Sequence, residues 1–187
     1  MAGGQLRLVA RAHGYAVLVV GVFLVALPLA ARTLDFVSRL RLPARAVYAG
    51  AALLPCCAAV SYGSFWLFIT RGRGTAFPTD PPRRLLVVGP YRYVRNPMYL
   101  GNLGIVAATG LLLRSPGVLL YAALLAWLAH GYVTGVEEPA LEARYGDVYR
   151  RYRAAVPRWL PTRSPHPPLV QSLVVLLVYL GSLASPG

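Results

Sequence analysis

The sequence contains no lysine, and acidic residues are scarce: nineteen basic residues, all of them arginine, stand against six acidic ones. Only 13% of the 187 residues are charged and 57% are hydrophobic, which is more apolar than an ordinary soluble domain. The arginines are spread over the polar segments rather than gathered on one soluble face, which argues against a nucleic-acid partner. The composition therefore predicts a membrane protein whose arginines hold its topology and contact anionic head groups.

Cysteine is nearly absent as well. Cys56 and Cys57 are adjacent inside an apolar run, where neither a disulfide between them nor a metal site with two further ligands is expected. We interpret both as packing residues and expect no metal centre.

Apolar runs that approach the roughly 20 residues required by a bilayer predict an all-α, polytopic integral membrane protein with about five transmembrane helices. The predicted spans are residues 14–31, 46–70, 98–113, 117–136 and 169–184. Only Arg114, Ser115 and Pro116 separate the third and fourth spans, which predicts an antiparallel helical hairpin. We expect a single membrane domain, residues 1–187, with N-terminal helices in 1–82, a core in 83–163 and a C-terminal helix in 164–187.

Arginine counts predict the orientation of the chain. Residues 71–95 and 137–168 hold six arginines each, and the hairpin tip holds one, which places both long segments on the cytoplasmic side of the cell membrane. The segment 32–45, with four arginines, would then lie outside. Either the first span is misplaced, or this segment is an amphipathic piece in the membrane interface.

Four of the six acidic residues fall in the segment "EEPALEARYGD", residues 137–147, where the fourth predicted span ends. Carboxylates at a membrane boundary lose hydration and seek cationic partners. If a helix ends at Glu137 and Glu138, its dipole opposes them, so a compensating positive charge is expected nearby. The candidates are Arg92, Arg95 and Arg144, or a cationic ligand. Solvation of a helix end and a ligand site are both open interpretations.

The segment "GPYRYVRNPMYLG", residues 89–101, is a polar turn that runs directly into the third predicted span. Pro97 suits the first turn of a helix and Asn96 suits the position before it, so the third helix should begin here. The helix N-terminus with Arg92 and Arg95 would form an anion-binding corner. The alternative is an interfacial anchor with an aromatic belt of Tyr91, Tyr93 and Tyr99.

Helical spacing adds polar neighbours to these segments. His130, Thr134 and Glu137 lie at i, i+4 and i+7, which places them on one face of an α-helical fourth span. His130 on that face is either a hydrogen-bonded packing residue or part of a site. On the third span, Gly101 and Gly104 are expected to allow close approach of another helix.

The two segments together resemble the membrane-embedded methyltransferases related to isoprenylcysteine carboxyl methyltransferase and the phospholipid N-methyltransferases. The resemblance covers "GPYRYVRNPMYLG", the hairpin, and "EEPALEARYGDVYRRYRAAVPRWLP", within residues 83–163. It implies that the cofactor S-adenosylmethionine binds in a cytoplasmic pocket built by the two segments. Its contacts would be Leu85, Leu86, Tyr91, Asn96, Pro97, Met98, Tyr99 and Glu137.

This chain departs from the family pattern at two positions. Many relatives have histidine where this chain has Asn96, which can cap a helix but cannot titrate. The prenylcysteine enzymes place an arginine four residues before the first glutamate to hold the substrate carboxylate, and this position is Val133 here. A prenylcysteine substrate is therefore not expected.

The resemblance implies methyl transfer to a lipophilic small molecule or a lipid in the membrane, by O-methylation of a carboxylate or N-methylation of an amine. Such a displacement mainly requires alignment and exclusion of water. An amine acceptor must also lose a proton, and His130 or Glu138 would be the base, with Arg95 as an anion-binding residue. The alternatives are an NADPH-dependent sterol-type reductase and a non-catalytic membrane scaffold.

Overall fold

The computed structural model describes residues 2–38, 40–72 and 85–160. Within these ranges all regular structure is helical, as the composition predicts. Three helices there are long and apolar enough to cross a membrane: Ala12–Phe36, Ala46–Gly72 and Pro116–Tyr145. Pro97–Leu112 is a shorter apolar helix. The predicted fifth span, 169–184, lies outside the described residues, so the count of five stays a prediction.

The first helical stretch is longer than the sequence predicts. It consists of α1 (Ala2–Val19), a π-helical segment (Val20–Ala26), α2 (Leu27–Ala31) and α3 (Thr33–Ser38). The predicted end at residue 31 is wrong, and the acidic side chain of Asp35 beyond it is buried: its Oδ1 accepts a hydrogen bond from the Gly117 N–H at 2.8 Å. Residues 33–38 of the basic segment expected to be a loop are therefore helical.

The second span is α4 (Ala46–Leu67) followed by a π-helical segment (Phe68–Gly72). The predicted hairpin is confirmed, with α5 (Pro97–Leu112) and α6 (Pro116–Tyr132) joined by a short tip. At the tip, Arg114 has a positive φ of 53°, and the Ser115 hydroxyl accepts a hydrogen bond from the Val118 N–H at 3.1 Å. Arg114 Nε also donates to the Leu42 carbonyl at 2.7 Å.

Helix α5 lies very close to α4, and small residues make this possible. A Cβ at Gly101 would lie 2.6 Å from the Ser61 backbone nitrogen, and one at Gly104 would collide with the Cys57 side chain. Asn102 Oδ1 accepts a hydrogen bond from the Ser61 hydroxyl at 2.6 Å beside these glycines. The expected close approach of the third helix is thus confirmed, and Cys57 packs within it.

The fourth span does not end near residue 136. Helix α6 continues through a π-helical segment (Val133–Glu137) into α7 (Glu138–Tyr145). Gly146, with a φ of 54°, then breaks the chain before α8 (Asp147–Ala155). The predicted helix end was wrong because hydropathy indicates where a helix leaves the lipid, whereas the backbone hydrogen bonds of the helix continue beyond that point.

The described residues form two compact units. The first contains the residues up to Tyr62 together with Met98–Gly131, and the second contains Gly63–Pro97 together with the residues from Tyr132 onward. The first unit has a core of Leu24, Val106, Val118 and Ala122. The second unit has its own core of Leu85, Val87, Tyr149, Tyr152 and Val156.

Large apolar side chains are exposed along the spans. Phe36 is 89% exposed, Tyr48 79% and Trp127 71%, which would be unfavourable in water but suits a surface that contacts lipid. The structure thus agrees with a membrane protein.

Candidate active site

The turn at residues 89–92 is built by local sequence and fixed by the second unit. Gly89 supplies a φ of 59°, which favours glycine, and a 3₁₀ turn, Gly89–Arg92, follows. Tyr91 is buried, and its ring meets Phe68 edge to face at 5.7 Å between centroids. The Tyr91 carbonyl accepts a hydrogen bond from the Tyr152 hydroxyl at 2.8 Å. The turn is therefore held by side chains rather than left as a loose loop.

The next residues are attached to the segment that follows α8. The Arg95 N–H donates to the Pro157 carbonyl at 2.9 Å, and Asn96 Nδ2 donates to the Arg158 carbonyl at 3.2 Å. Helix α5 then begins at Pro97, as predicted, so Asn96 occupies the position before the helix. Residues 95–96 and 157–158 therefore form one rigid corner.

The π-helical segment before Glu138 explains how the helix passes the proline at position 139. Proline lacks an N–H and collides with the carbonyl four residues earlier in an α-helix, whereas a π-helical turn bonds five residues apart and is common at functional sites. Thr134 and Glu137 belong to this segment. The α-helical spacing that predicted one face for His130, Thr134 and Glu137 does not hold within this segment, so their common face stays a prediction.

Glu138 is at the centre of the site and is only 5% exposed. Its Oε1 lies 2.8 Å from Arg95 Nη1, and its two oxygens accept hydrogen bonds from Arg158 Nε at 2.7 Å and Nη2 at 2.9 Å. Bidentate pairing of this kind is strong and directional. The hydrogen bond to Glu138 is also the largest cause of the raised pKa of Arg158.

The expected positive charge beside the glutamates is thus present, and it is Arg95. The reason given for it was wrong, however, because no helix ends at Glu138. Arg95 and Glu138 are both almost fully buried, with side-chain exposures of 9% and 7%, so each charge needs the other in a poorly hydrated site.

Arg158 is a part of the site that the sequence analysis missed. It lies twenty residues from its partner in a proline-flanked, arginine-rich segment, and no periodicity relates the two positions. Tyr149 was also missed; its hydroxyl lies 3.5 Å from Arg95 Nη1, and burial raises its pKa. The only available signal was that both residues fall in the segment that resembles the methyltransferases.

The predicted site residues are divided between the two units. The second unit contains Leu85, Leu86, Tyr91, Arg95, Asn96, Pro97, Glu137 and Glu138. Of these, Glu137 is partly exposed, whereas the side chain of Arg95 and the remaining residues are buried or nearly so. Met98, Tyr99 and His130 lie in the first unit, and His130 is exposed. The structure brings Arg95 and Glu138 into contact, while the roles predicted for the other residues stay predictions.

The two segments that meet at Arg95 and Glu138 also lie within a recognisable family region. A protein-family model described as phospholipid methyltransferase matches residues 46–148. Comparison with curated proteins found no match, and neither did comparison with solved structures. Because the family match runs from the start of α4 to the start of α8 and covers more than half of the chain, the protein belongs to the phospholipid methyltransferase family.

Proposed function

We propose that this protein transfers a methyl group from S-adenosylmethionine to a small lipophilic or lipid acceptor at the membrane. The acceptor group would be an amine or a carboxylate. The observation that carries the proposal is the contact between Arg95 and Glu138: it joins the two segments that carry the resemblance, in a chain of the phospholipid methyltransferase family.

The side chains of the second unit suit the cofactor. S-adenosylmethionine carries a carboxylate, an ammonium and a sulfonium, and it supplies an activated methyl group when bound. Arg95 offers a cation whose buried Nε has no hydrogen-bond partner among the described residues. Glu137 is partly exposed and offers an anion. Both charge types are therefore available within the second unit.

Glu137 and Glu138 would have different tasks. Glu138 is already paired with Arg95 and Arg158, which stabilises its charged form and makes it a poor acceptor of a proton. We therefore assign Glu138 to positioning of Arg95, and Glu137 to attraction of the cationic cofactor. If the acceptor is an amine, Glu138 is therefore the weaker of the two predicted candidates for its base.

The surroundings of Val133 favour a lipid acceptor over a prenylcysteine. Val133 is completely buried, so it offers neither charge nor access at the position where the prenylcysteine enzymes have an arginine. A lipid acceptor also agrees with the description of the matched family.

Ligand-dependent stability of the purified protein in detergent tests the reaction class. We expect S-adenosylhomocysteine to raise the melting temperature, since a ligand at 100 times its Kd stabilises by about 2.7 kcal/mol. Stabilisation by NADPH instead would indicate a reductase, and stabilisation by neither would favour a scaffold. Methyl transfer to phosphatidylethanolamine should then exceed transfer to a farnesylcysteine analogue, and the reverse order would contradict the assignment of a lipid acceptor.

A further inference from the structure

Two adjacent residues before α5 are bonded to two adjacent residues after α8. The Arg95 N–H donates to the Pro157 carbonyl at 2.9 Å, and Asn96 Nδ2 donates to the Arg158 carbonyl at 3.2 Å. All four residues belong to the second unit. The first bond uses a backbone N–H, which every residue except proline can supply. The second bond uses a side chain, so it depends on the residue type at position 96.

The donor of Asn96 projects from a backbone that has little freedom. Asn96 is only 8% exposed, and Pro97 after it is completely buried. A proline restricts the backbone of the residue before it, and α5 begins at this proline. The amide nitrogen of Asn96 is therefore a fixed point to which another segment can be attached.

Arg158 lies where no regular structure fixes the chain. Helix α8 ends at Ala155, and residues 156–160 contain no helix. The Arg158 side chain is long and 30% exposed, so holding it in one conformation costs entropy. Its bidentate contact with Glu138, at 2.7 Å from Nε and 2.9 Å from Nη2, nevertheless requires one definite orientation. A main chain that is held at position 158 makes this orientation easier to reach.

The contacts form a closed ring through three segments of the chain. Asn96 holds the Arg158 main chain, and the Arg158 side chain binds Glu138. Glu138 Oε1 also lies 2.8 Å from Arg95 Nη1, and Arg95 is the residue next to Asn96. Loss of the Asn96 bond would therefore act on Arg95 through Arg158 and Glu138.

We propose that Asn96 is a positioning residue: its amide nitrogen fixes the Arg158 main chain, and Arg158 holds Glu138 and Arg95 in the arrangement that binds S-adenosylmethionine. This role rests on the proposed function and deepens it, because it attaches Asn96 to the protein rather than to the cofactor. It is also separate from helix capping. A cap uses the side-chain oxygen of asparagine, whereas the bond to Arg158 uses the nitrogen.

The test measures the Kd of S-adenosylhomocysteine for the full chain in nonionic detergent by isothermal titration calorimetry. We expect Asn96→Ala to weaken binding about fivefold, as for loss of one hydrogen bond. Arg158→Gln should weaken it about tenfold or more, since a charge-assisted bidentate contact is lost. Because Asn96 acts through Arg158, the double variant should bind no more than about twofold weaker than Arg158→Gln alone.

Asn102→Ala is the matched control. It removes a second asparagine of α5, whose Oδ1 accepts a hydrogen bond from the Ser61 hydroxyl at 2.6 Å. This variant should have a lower melting temperature but a Kd within about twofold of the wild type. If Asn96→Ala fails to fold, Asn96→Asp replaces it. Aspartate caps a helix as well as asparagine does, but an ionised carboxylate cannot donate to the Arg158 carbonyl, so the affinity should still fall.

Three outcomes would overturn the role of Asn96 alone. An unchanged Kd in Asn96→Ala would show that the bond to Arg158 serves stability only. Losses that add in the double variant would show that Asn96 acts independently of Arg158, and an equal loss in Asn102→Ala would show a general effect of weakening α5. A wild-type protein that does not bind S-adenosylhomocysteine would instead contradict the proposed function, and the role of Asn96 together with it.

Discussion

Two neighbouring glutamates of this chain have different surroundings. Glu138 is buried between Arg95 and Arg158, and Glu137 is partly exposed at the end of the π-helical segment. The sequence shows only that both are acidic and adjacent. The structure therefore allows one glutamate to be tested for ligand binding and the other for stability.

We expect Glu137→Gln to lose S-adenosylmethionine binding while the protein stays folded, because the substitution removes a partly exposed anion and leaves the ion pairs of Glu138 in place. Glu138→Gln should have the opposite effect, with a loss mainly of stability rather than of cofactor binding. It leaves the buried charge of Arg95 without its partner and should cost about 3–5 kcal/mol of stability. Melting temperature and equilibrium dialysis with labelled cofactor measure the two effects, and a Glu138→Gln protein as stable as the wild type would contradict the stabilising role of the ion pairs of Glu138.

The buried tyrosines of α8 predict a loss of stability at high pH. Burial raises the pKa of Tyr152 well above its ordinary value of 10.0. Because the unfolded chain ionises first, the folded state is favoured below about pH 10, and this contribution is lost as the pH rises further. Melting temperatures measured from about pH 8 to about pH 11 should fall more steeply for the wild type than for Tyr152→Phe. Tyr93→Phe, which alters an exposed tyrosine, serves as the control and should keep the steep fall.

At the scale of the helices, the sequence predicts beginnings better than ends. The Asn96–Pro97 pair predicted the start of α5, and the polar tip predicted the hairpin, because capping and turn formation are local. The continuation of helix α6 through Val133–Tyr145 was not predictable from hydropathy, because hydropathy reports contact with lipid rather than backbone hydrogen bonding. Charge alone made Arg95 one of three candidate partners for the glutamates, but it could not indicate Arg158, whose position depends on the tertiary path after α8.

The close approach of α4 and α5 can be tested by adding one methyl group. Gly101→Ala would place a Cβ 2.6 Å from the Ser61 backbone nitrogen, and because backbone cannot move aside easily, we expect a loss of about 1–3 kcal/mol. Gly63→Ala adds the same group to α4 where nothing lies within 4 Å, so it should be neutral or slightly stabilising. Thermal unfolding in detergent compares the two, and equal melting temperatures would contradict tight packing at Gly101.

At the scale of the whole molecule, the distribution of arginine predicts which ends of the helices face the cytoplasm. The loop at residues 40–45 is bound to the hairpin tip, since the Leu42 N–H donates to the Arg114 carbonyl at 3.1 Å. Both should lie on the outer side, with α8 on the cytoplasmic side. The basic loop is shorter in the structure than the sequence predicts, but the predicted orientation of the chain stays the same.

Cysteine labelling in cells measures this orientation. In a background with Cys56 and Cys57 replaced by alanine, a membrane-impermeant maleimide should label Arg41→Cys in intact cells. It should label Ala154→Cys only after the membrane is permeabilised. Both positions are exposed in the structure, so a difference reports sidedness rather than burial. Labelling in the opposite order would reverse the orientation and place α8 outside.

The π-helical segment Val133–Glu137 has a consequence for how this chain can change during evolution. A π-helical turn bonds five residues apart rather than four, so deleting one residue from this segment would return it to α-helical spacing and bring the ring of Pro139 against the carbonyl four residues earlier. Substitutions at exposed positions such as Gly135 and Val136 would leave that spacing unchanged. In this stretch, selection should therefore act more strongly on the number of residues than on their identity, and insertions or deletions should be rarer than replacements.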